Sequence, residues 1–196
     1  MKIIAIGRNY AAHAKELNNA VPTKPIIFLK PDTAVLKDNK PFYLPDFSAD
    51  IHYELEVVLK ICKEGKHIAE KFAGNYYDEI GLGIDFTARD IQAEHKEKGL
   101  PWELAKAFDH SAVVSNFLPK ADFSDMNDLH FELQINKETR QNGHTANLLF
   151  SFESIISFVS QYITLKKGDL IFTGTPEGVG QIKQGDQLEA WLEGKQ

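Results

Sequence analysis

The sequence is poor in cysteine, in clustered basic charge and in long apolar runs, and each shortage excludes something. Cys62 is the only cysteine among 196 residues, so no disulfide forms within the chain, and such a thiol count suits a reducing compartment. Lys and Arg number 22 against 28 Asp and Glu, a net charge of −6 with no Lys/Arg block, which argues against nucleic acid or an anionic membrane surface as the main partner. No apolar run approaches membrane-spanning length. The opening Met1-Lys2-Ile3-Ile4-Ala5-Ile6-Gly7 is too short a run for a signal peptide, and the expected location is cytoplasmic. Internal repeats, low-complexity tracts and linkers are also missing, which leads to one domain over residues 1–196.

What is present reads as a mostly β, α+β chain. At 43% hydrophobic content it is long and apolar enough to bury a core. Strand-like runs fall at residues 2–6, 26–30, 53–62, 80–86, 129–136, 170–173 and 187–192. Helices are fewer. One is predicted from Thr87 to about Lys98, with Thr87-Ala88-Arg89-Asp90 as a capping box and Gly99 as the stop; another follows a Ser151 cap, with Phe152, Ile155, Ile156 and Val159 on its apolar face. The regular β-α-β alternation of a doubly wound sheet does not occur.

The most informative feature is acidic. In Tyr53-Glu54-Leu55-Glu56-Val57-Val58-Leu59 the strand period of two puts Leu55, Val57 and Leu59 on one face and both glutamates on the other, about 7 Å apart at their Cα atoms. Taken alone, such a pair reads as the solvated face of an antiparallel sheet. Asp85 changes the balance, because it ends a second strand, Ile80-Gly81-Leu82-Gly83-Ile84-Asp85, whose glycines share its face and leave bare backbone beside the carboxylate. With Thr87 as helix cap, Asp85 has no evident structural duty. Three carboxylates form a hard, all-oxygen ligand set suited to Mg²⁺ or Mn²⁺.

Other residues are compatible with catalysis without demanding it. His13 and Glu16 lie three apart, one side of a helical turn, where a carboxylate can orient an imidazole as a general base; a surface ion pair is the plainer reading. Arg89 and Gln92 have the same spacing just beyond Asp85 and could hold a substrate carboxylate, or be ordinary helix-surface polarity. Lys30, before Pro31, and Lys106 read as surface lysines by default. Thr173-Gly174-Thr175-Pro176-Glu177-Gly178-Val179-Gly180 matches neither a P-loop nor a dinucleotide fingerprint. It is either a tight turn between strands or, through backbone N–H groups and the Thr175 hydroxyl, a small carboxylate site. His52, His67, His95, His110, His130 and His144 show no close zinc-ligand spacing.

Six ordered segments together resemble the fumarylacetoacetate hydrolase family, most closely its short branch of acylpyruvate hydrolases and oxaloacetate decarboxylases. They are Gly7-Arg8-Asn9-Tyr10 with His13 and Glu16, Phe28-Leu29-Lys30-Pro31, Glu54-Leu55-Glu56, Gly83-Ile84-Asp85-Phe86-Thr87-Ala88-Arg89-Asp90, Lys98-Gly99-Leu100-Pro101-Trp102 with Lys106, and Gly174-Thr175-Pro176-Glu177-Gly178-Val179-Gly180. The resemblance implies a rolled, mixed β-sandwich with a few short helices, a homodimer, and a mobile lid near His95 to Trp102. It implies Mg²⁺ or Mn²⁺ on Glu54, Glu56 and Asp85, a water-activating dyad of His13 and Glu16, and Lys106 at the reacting oxygens. Arg89, Gln92 and Thr175 would hold the pyruvyl carboxylate, and Lys30 joins them as a substrate-binding residue. The activity implied is hydrolysis of the carbon–carbon bond of acylpyruvates, with oxaloacetate decarboxylation or 2-oxo acid isomerisation as the alternative at the same site. Tyr53 departs from the histidine that relatives often carry there, outside the ligand set.

Overall fold

The computed structural model of the protein describes residues 1–17 and 19–196. In chain order its strands are β1 (Ile3–Gly7), β2 (Ile26–Lys30), β3 (Val35–Leu36), β4 (Ile51–Tyr53), β5 (Leu55–Ile61), β6 (Tyr77–Asp85) and β7 (Thr87–Ala88). They continue as β8 (Ala112–Val114), β9 (Leu118–Pro119), β10 (His130–Ile135), β11 (Glu138–His144), β12 (Leu170–Phe172), β13 (Gly180–Gln181) and β14 (Leu188–Leu192). The α-helices are α1 (Ala11–Glu16), α2 (Glu70–Ala73), α3 (Arg89–Lys98), α4 (Glu103–Lys106) and α5 (Phe152–Tyr162). One large sheet has the order β2-β1-β12-β5-β6-β8-β3, with β9 on β6; β11-β10-β14 and β13-β4-β7 form two smaller sheets. In the large sheet β1 with β12 and β3 with β8 are parallel and the other neighbours antiparallel, so it is mixed. The sheets curl into a half-barrel, as expected. No described helix is long and apolar enough to cross a membrane.

Alternation along the central strands builds a core on each face of the large sheet. Leu55, Val57, Leu59 and Ile61 join Ile4, Ile6, Ile80, Leu82 and the apolar face of α5 in the larger one. Val58, from the glutamate face of β5, packs with Ile3, Ala5, Leu170 and Phe172 in the smaller one. The glutamate face is therefore covered, and Glu54 and Glu56 sit at the end of a buried layer with 6% and 2% exposure. Gly81 and Gly83 do share the Asp85 face, but the protein fills the space they leave. A Cβ on Gly83 would lie 2.6 Å from Phe172 Cε1 and 2.7 Å from Val58 Cγ2, so the bare backbone there admits a neighbouring strand's side chains and not a ligand.

The α5 prediction holds in detail: the Ser151 hydroxyl accepts the Ser154 N–H at 3.2 Å, and Phe152, Ile155, Ile156 and Val159 are buried. The capping box at Thr87 does not form. Thr87 belongs to β7, where it pairs with His52 of β4, and the cap position of α3 is Ala88 without a side-chain bond. Asp90 turns instead to the segment before β4, accepting the Ser48 hydroxyl at 2.7 Å and the Ala49 N–H at 3.2 Å. The C-terminal stop is as expected, with Gly99 left-handed at φ 65°. β11 has no apolar alternation to betray it, because its inward positions are Gln141 and Gly143, the latter beneath the Phe131 ring.

Candidate active site and metal centre

Three carboxylates from adjacent strands converge. Glu54 precedes β5, Glu56 lies within it and Asp85 ends β6, where the register sets Leu55 opposite Ile84 and Glu56 opposite Gly83. Each contributes an oxygen to a group whose members lie within 4.8 Å of one another, and all three residues are buried. Around them the cavity wall includes His13, Arg89, Gln92, Lys106 and Thr175. The space left is about 30 Å³, the scale of one water or one cation.

Like charges this close in a dry site need compensation. Lys106 Nζ donates to Glu54 Oε2 and Asp85 Oδ2, each at 2.7 Å, and to the Thr87 hydroxyl at 2.5 Å. All three of its protons are accepted by protein oxygens, so Lys106 reaches reacting atoms only by releasing one of them. Arg89 forks between Glu54 Oε1 and Gln92 Oε1, both at 2.6 Å. Burial alone would raise the Glu54 carboxyl, but Lys106 and Arg89 outweigh it and hold Glu54 far below the usual carboxylate range. Burial likewise opposes the Lys106 charge, and Asp85 and Glu54 overcome it, leaving its pKa raised.

Lys30 is placed differently from the substrate contact expected of it. Its side chain is fully buried, its Nζ lies 2.6 Å from Asp85 Oδ1, and its protons are accepted by Ser111 O, Ser111 Oγ and the Lys106 carbonyl. Lys30 thus backs Asp85 from behind the cavity wall. Burial lowers its pKa, with Asp85 working in the opposite direction. Asp85, which had no duty on sequence grounds, is the carboxylate on which both buried lysines meet.

Glu56 is the member without a cation of its own. It accepts the Gly174 N–H at 2.6 Å, while burial and the charges of Asp85 and Glu54 push its carboxyl well above the ordinary range. Asp85 Oδ1, although at ion-pair distance from Lys30, has no aligned hydrogen bond. A buried all-oxygen trio with one uncompensated carboxylate and one oxygen lacking a directed donor fits a hard divalent cation. A group with a raised folded pKa contributes stability fully below its unfolded value, about 4.3 for Glu, and loses it as pH rises through the folded value. A cation restores what is lost, so the rise in Tm produced by Mg²⁺ is expected to grow between about pH 5 and 8. Thermal unfolding with and without Mg²⁺ across that range checks this; an equal rise at both ends would remove Glu56 from the ligand set.

The remaining predicted residues meet at the same cavity. His13 in α1 is 4% exposed, its Nδ1 3.1 Å from Glu16 Oε2, and Glu16 Oε1 accepts the Gly178 N–H at 2.9 Å. The carboxylate is thereby fixed from the Gly-rich segment while it orients the imidazole. Thr175 is buried, and its hydroxyl accepts from Gln141 Nε2 at 2.8 Å.

Two supporting residues escaped the sequence reading. Gln141 also accepts the Leu55 N–H at 2.9 Å and donates to Pro176 O at 2.9 Å, tying the glutamate strand to the Thr175 turn. Its polar strand offered no signal. Asn9 bonds Phe150 and Thr173 with both ends of its amide and ties the start of α1 to the same turn. There Gly174 adopts φ 104°, and a Cβ would lie 2.6 Å from Asn9 Cβ. Gly174→Ala is expected to cost about 1–3 kcal/mol in denaturant unfolding and to weaken Mg²⁺ binding by misplacing the N–H on Glu56; a variant of parental stability and affinity would show that the turn adapts freely.

His130 and His144, distant in sequence, are cross-strand partners beside Asp128. Their rings stack at 4.1 Å and 14°, so their nitrogen lone pairs lie in nearly parallel planes, and His144 Nε2 pairs with Asp128 Oδ1 at 2.7 Å. This is a hydrogen bond at the surface, unlike the buried trio.

Residues 2–196 match the fumarylacetoacetate (FAA) hydrolase C-terminal family. The chain belongs to the fumarylacetoacetate hydrolase family. It is similar to the mitochondrial oxaloacetate tautomerase FAHD1 of Mus musculus, 46% identical over 98% of this chain and 87% of that protein. With the mitochondrial oxaloacetate decarboxylase of Dictyostelium discoideum it shares 40% identity over 98% of this chain and 89% of that one. Among solved structures, fumarylpyruvate hydrolase from Pseudomonas aeruginosa in complex with Mn²⁺ and pyruvate superposes with a TM-score of 0.95 and 34% identity, covering 100% of this chain and 86% of that one. This fumarylacetoacetate hydrolase family member is accordingly an enzyme, and its relatives bear the names of tautomerases, decarboxylases and hydrolases.

Proposed function

We propose that the chain interconverts the enol and keto forms of oxaloacetate, and promotes decarboxylation of the keto form, in which loss of CO₂ leaves the enolate of pyruvate at the same site. The observation that carries this reading is the His13–Glu16 pair facing the three-carboxylate cluster across one cavity. A divalent cation, Mg²⁺ or Mn²⁺, held by Glu54, Glu56 and Asp85 would supply Lewis acidity toward the enolate oxygen. His13 Nδ1 is engaged by Glu16, which leaves Nε2 to give a proton to C3 of the enol or to take one from the keto form, while the enol O–H proton exchanges with solvent. Arg89, Gln92 and Thr175 are read as holding the carboxylate next to the oxo group, for which Arg89 would exchange one of its present partners. The names of relatives at 40–46% identity support reading oxaloacetate, ahead of acylpyruvates, as the substrate.

Hydrolysis of acylpyruvates is the second reading. The same dyad can deprotonate a water for attack on the distal carbonyl, and the Pseudomonas aeruginosa fumarylpyruvate hydrolase supports it. The experiment follows enol-oxaloacetate decay, pyruvate formation from oxaloacetate and loss of acetylpyruvate in parallel, with Mg²⁺, with Mn²⁺ and with chelator, against protein-free metal controls. Enol conversion above the metal control, abolished by chelator, is the expected result. Faster loss of acetylpyruvate would put the second reading first, and inertness in all three assays would sink both.

A further inference from the structure

The cavity mouth carries positive charge that the chemistry above leaves unused. Arg8, Arg89, Lys96 and Lys106 line the cavity against Glu54, Glu56 and Asp85. Arg89 and Lys106 are engaged by Glu54 and Asp85. Among the described residues Arg8 and Lys96 make no salt bridge.

Both are nevertheless positioned. Arg8 follows β1 with a left-handed φ of 59°, an uncommon state for a residue with a Cβ. Its guanidinium carbon lies 5.9 Å from the Trp102 ring, which in turn meets Phe28 edge-on at 5.8 Å. Lys96, on α3, reaches across to donate to Asn19 Oδ1 at 2.8 Å. Its pKa is lowered by burial and by the charges of Arg8 and Arg89, so the two unpaired cations lie within each other's field. With Lys30 behind Asp85, five cations meet three carboxylates, which leaves two positive charges in excess, and a divalent ion raises that to four. One substrate carboxylate cannot neutralise this; a second, seated at the mouth, comes closer.

We propose that Arg8 and Lys96 form a second carboxylate subsite, so that the site selects 2-oxo acids bearing two carboxylates over those bearing one. The inference rests on the reading that a 2-oxo acid binds at the carboxylate cluster. The planar fork of Arg8 suits two-point binding of a carboxylate, and the Lys96 ammonium, on its flexible stem, adds a second point of positive charge.

The test titrates the Mn²⁺-loaded protein calorimetrically with malate and with 2-hydroxybutyrate. These present the same chelating end and differ by a carboxylate for a methyl group. The parent is expected to prefer malate by about tenfold or more, the scale of a charge-assisted hydrogen bond. Arg8→Gln and Lys96→Gln should each remove most of that preference while 2-hydroxybutyrate binding stays nearly constant, which also reports an intact fold. A parent without preference, variants that keep it, or equal weakening of both ligands would overturn the subsite. Neither ligand has an oxo group, so the result is independent of turnover. A chain that prefers malate through Arg8 and Lys96 but leaves oxaloacetate unconverted would sink the proposed activity and keep the subsite; a converting enzyme without preference would do the reverse.

Discussion

His13→Ala is expected to lower enol-oxaloacetate conversion by about 10²–10⁴-fold, the range of a positioned general acid or base, while Mn²⁺ affinity stays close to parental. The separation follows from the geometry. His13 contacts Glu16 and not the three carboxylates through any hydrogen bond, so removing the imidazole leaves Glu54, Glu56 and Asp85 with their lysine, arginine and backbone partners. Stopped-flow decay of the enol and calorimetric Mn²⁺ titration read the two quantities independently. A variant with the parental rate would remove the dyad from proton transfer. One that loses rate and metal together would show instead that His13 supports the cluster. Glu16→Gln should fall between, because the amide still accepts the Nδ1 hydrogen bond but no longer stabilises a protonated ring.

The second large effect is on stability. Lys30→Met removes a fully buried ammonium from beside Asp85 and takes one donor each from Ser111 O, Ser111 Oγ and the Lys106 carbonyl, while the Phe86 N–H still serves Ser111 O and the Ser111 hydroxyl still serves the Lys106 carbonyl. Breaking one side of a buried charge pair costs about 3–5 kcal/mol, because the remaining charge stays in a dry environment. Urea unfolding with an unchanged m value is the measurement. Asp85 retains Lys106 at 2.7 Å, so added Mn²⁺ should recover part of the loss by supplying the missing positive charge, giving a larger Mn²⁺-induced shift than in the parent. A loss under about 1 kcal/mol would mean that Asp85 does not depend on Lys30, and an Mn²⁺ shift no larger than parental would separate Lys30 from the metal site.

The structure also shows why the buried charges are arranged in this order. Lys106 is held charged by two carboxylates that outweigh its burial, whereas burial prevails at Lys30. The cluster is thus nearly balanced by its own lysines and arginine, with Glu56 as the unmatched carboxylate. A cation binding there meets a preformed site and does not have to assemble one from solvated acids.

The local elements whose pattern is short-range can be read from the chain without its partners. Alternation in β5, the Ser151 cap with its apolar face on α5, and Gly99 at the end of α3 depend on neighbours within a few residues, and each reads directly from the chain. The Glu54–Glu56 spacing and the His13–Glu16 spacing belong to the same class, since a strand or a helical turn alone brings each pair to one side. Tertiary structure decided the rest. Whether the glutamate face meets water or a second core depended on β12 and β1 packing against Val58, residues far away in sequence. Thr87 lost its capping role to the pairing of β7 with β4, and Gly83 made room for Phe172 rather than for a ligand. Lys30 and Lys106, indistinguishable from surface lysines by type and spacing, became buried because Asp85 lies between them. Gln141 gained its place only when β11 folded against the Thr175 turn. Periodicity tells which face a side chain takes, but burial and charge pairing depend on what the fold sets opposite that face, and only the folded chain supplies it.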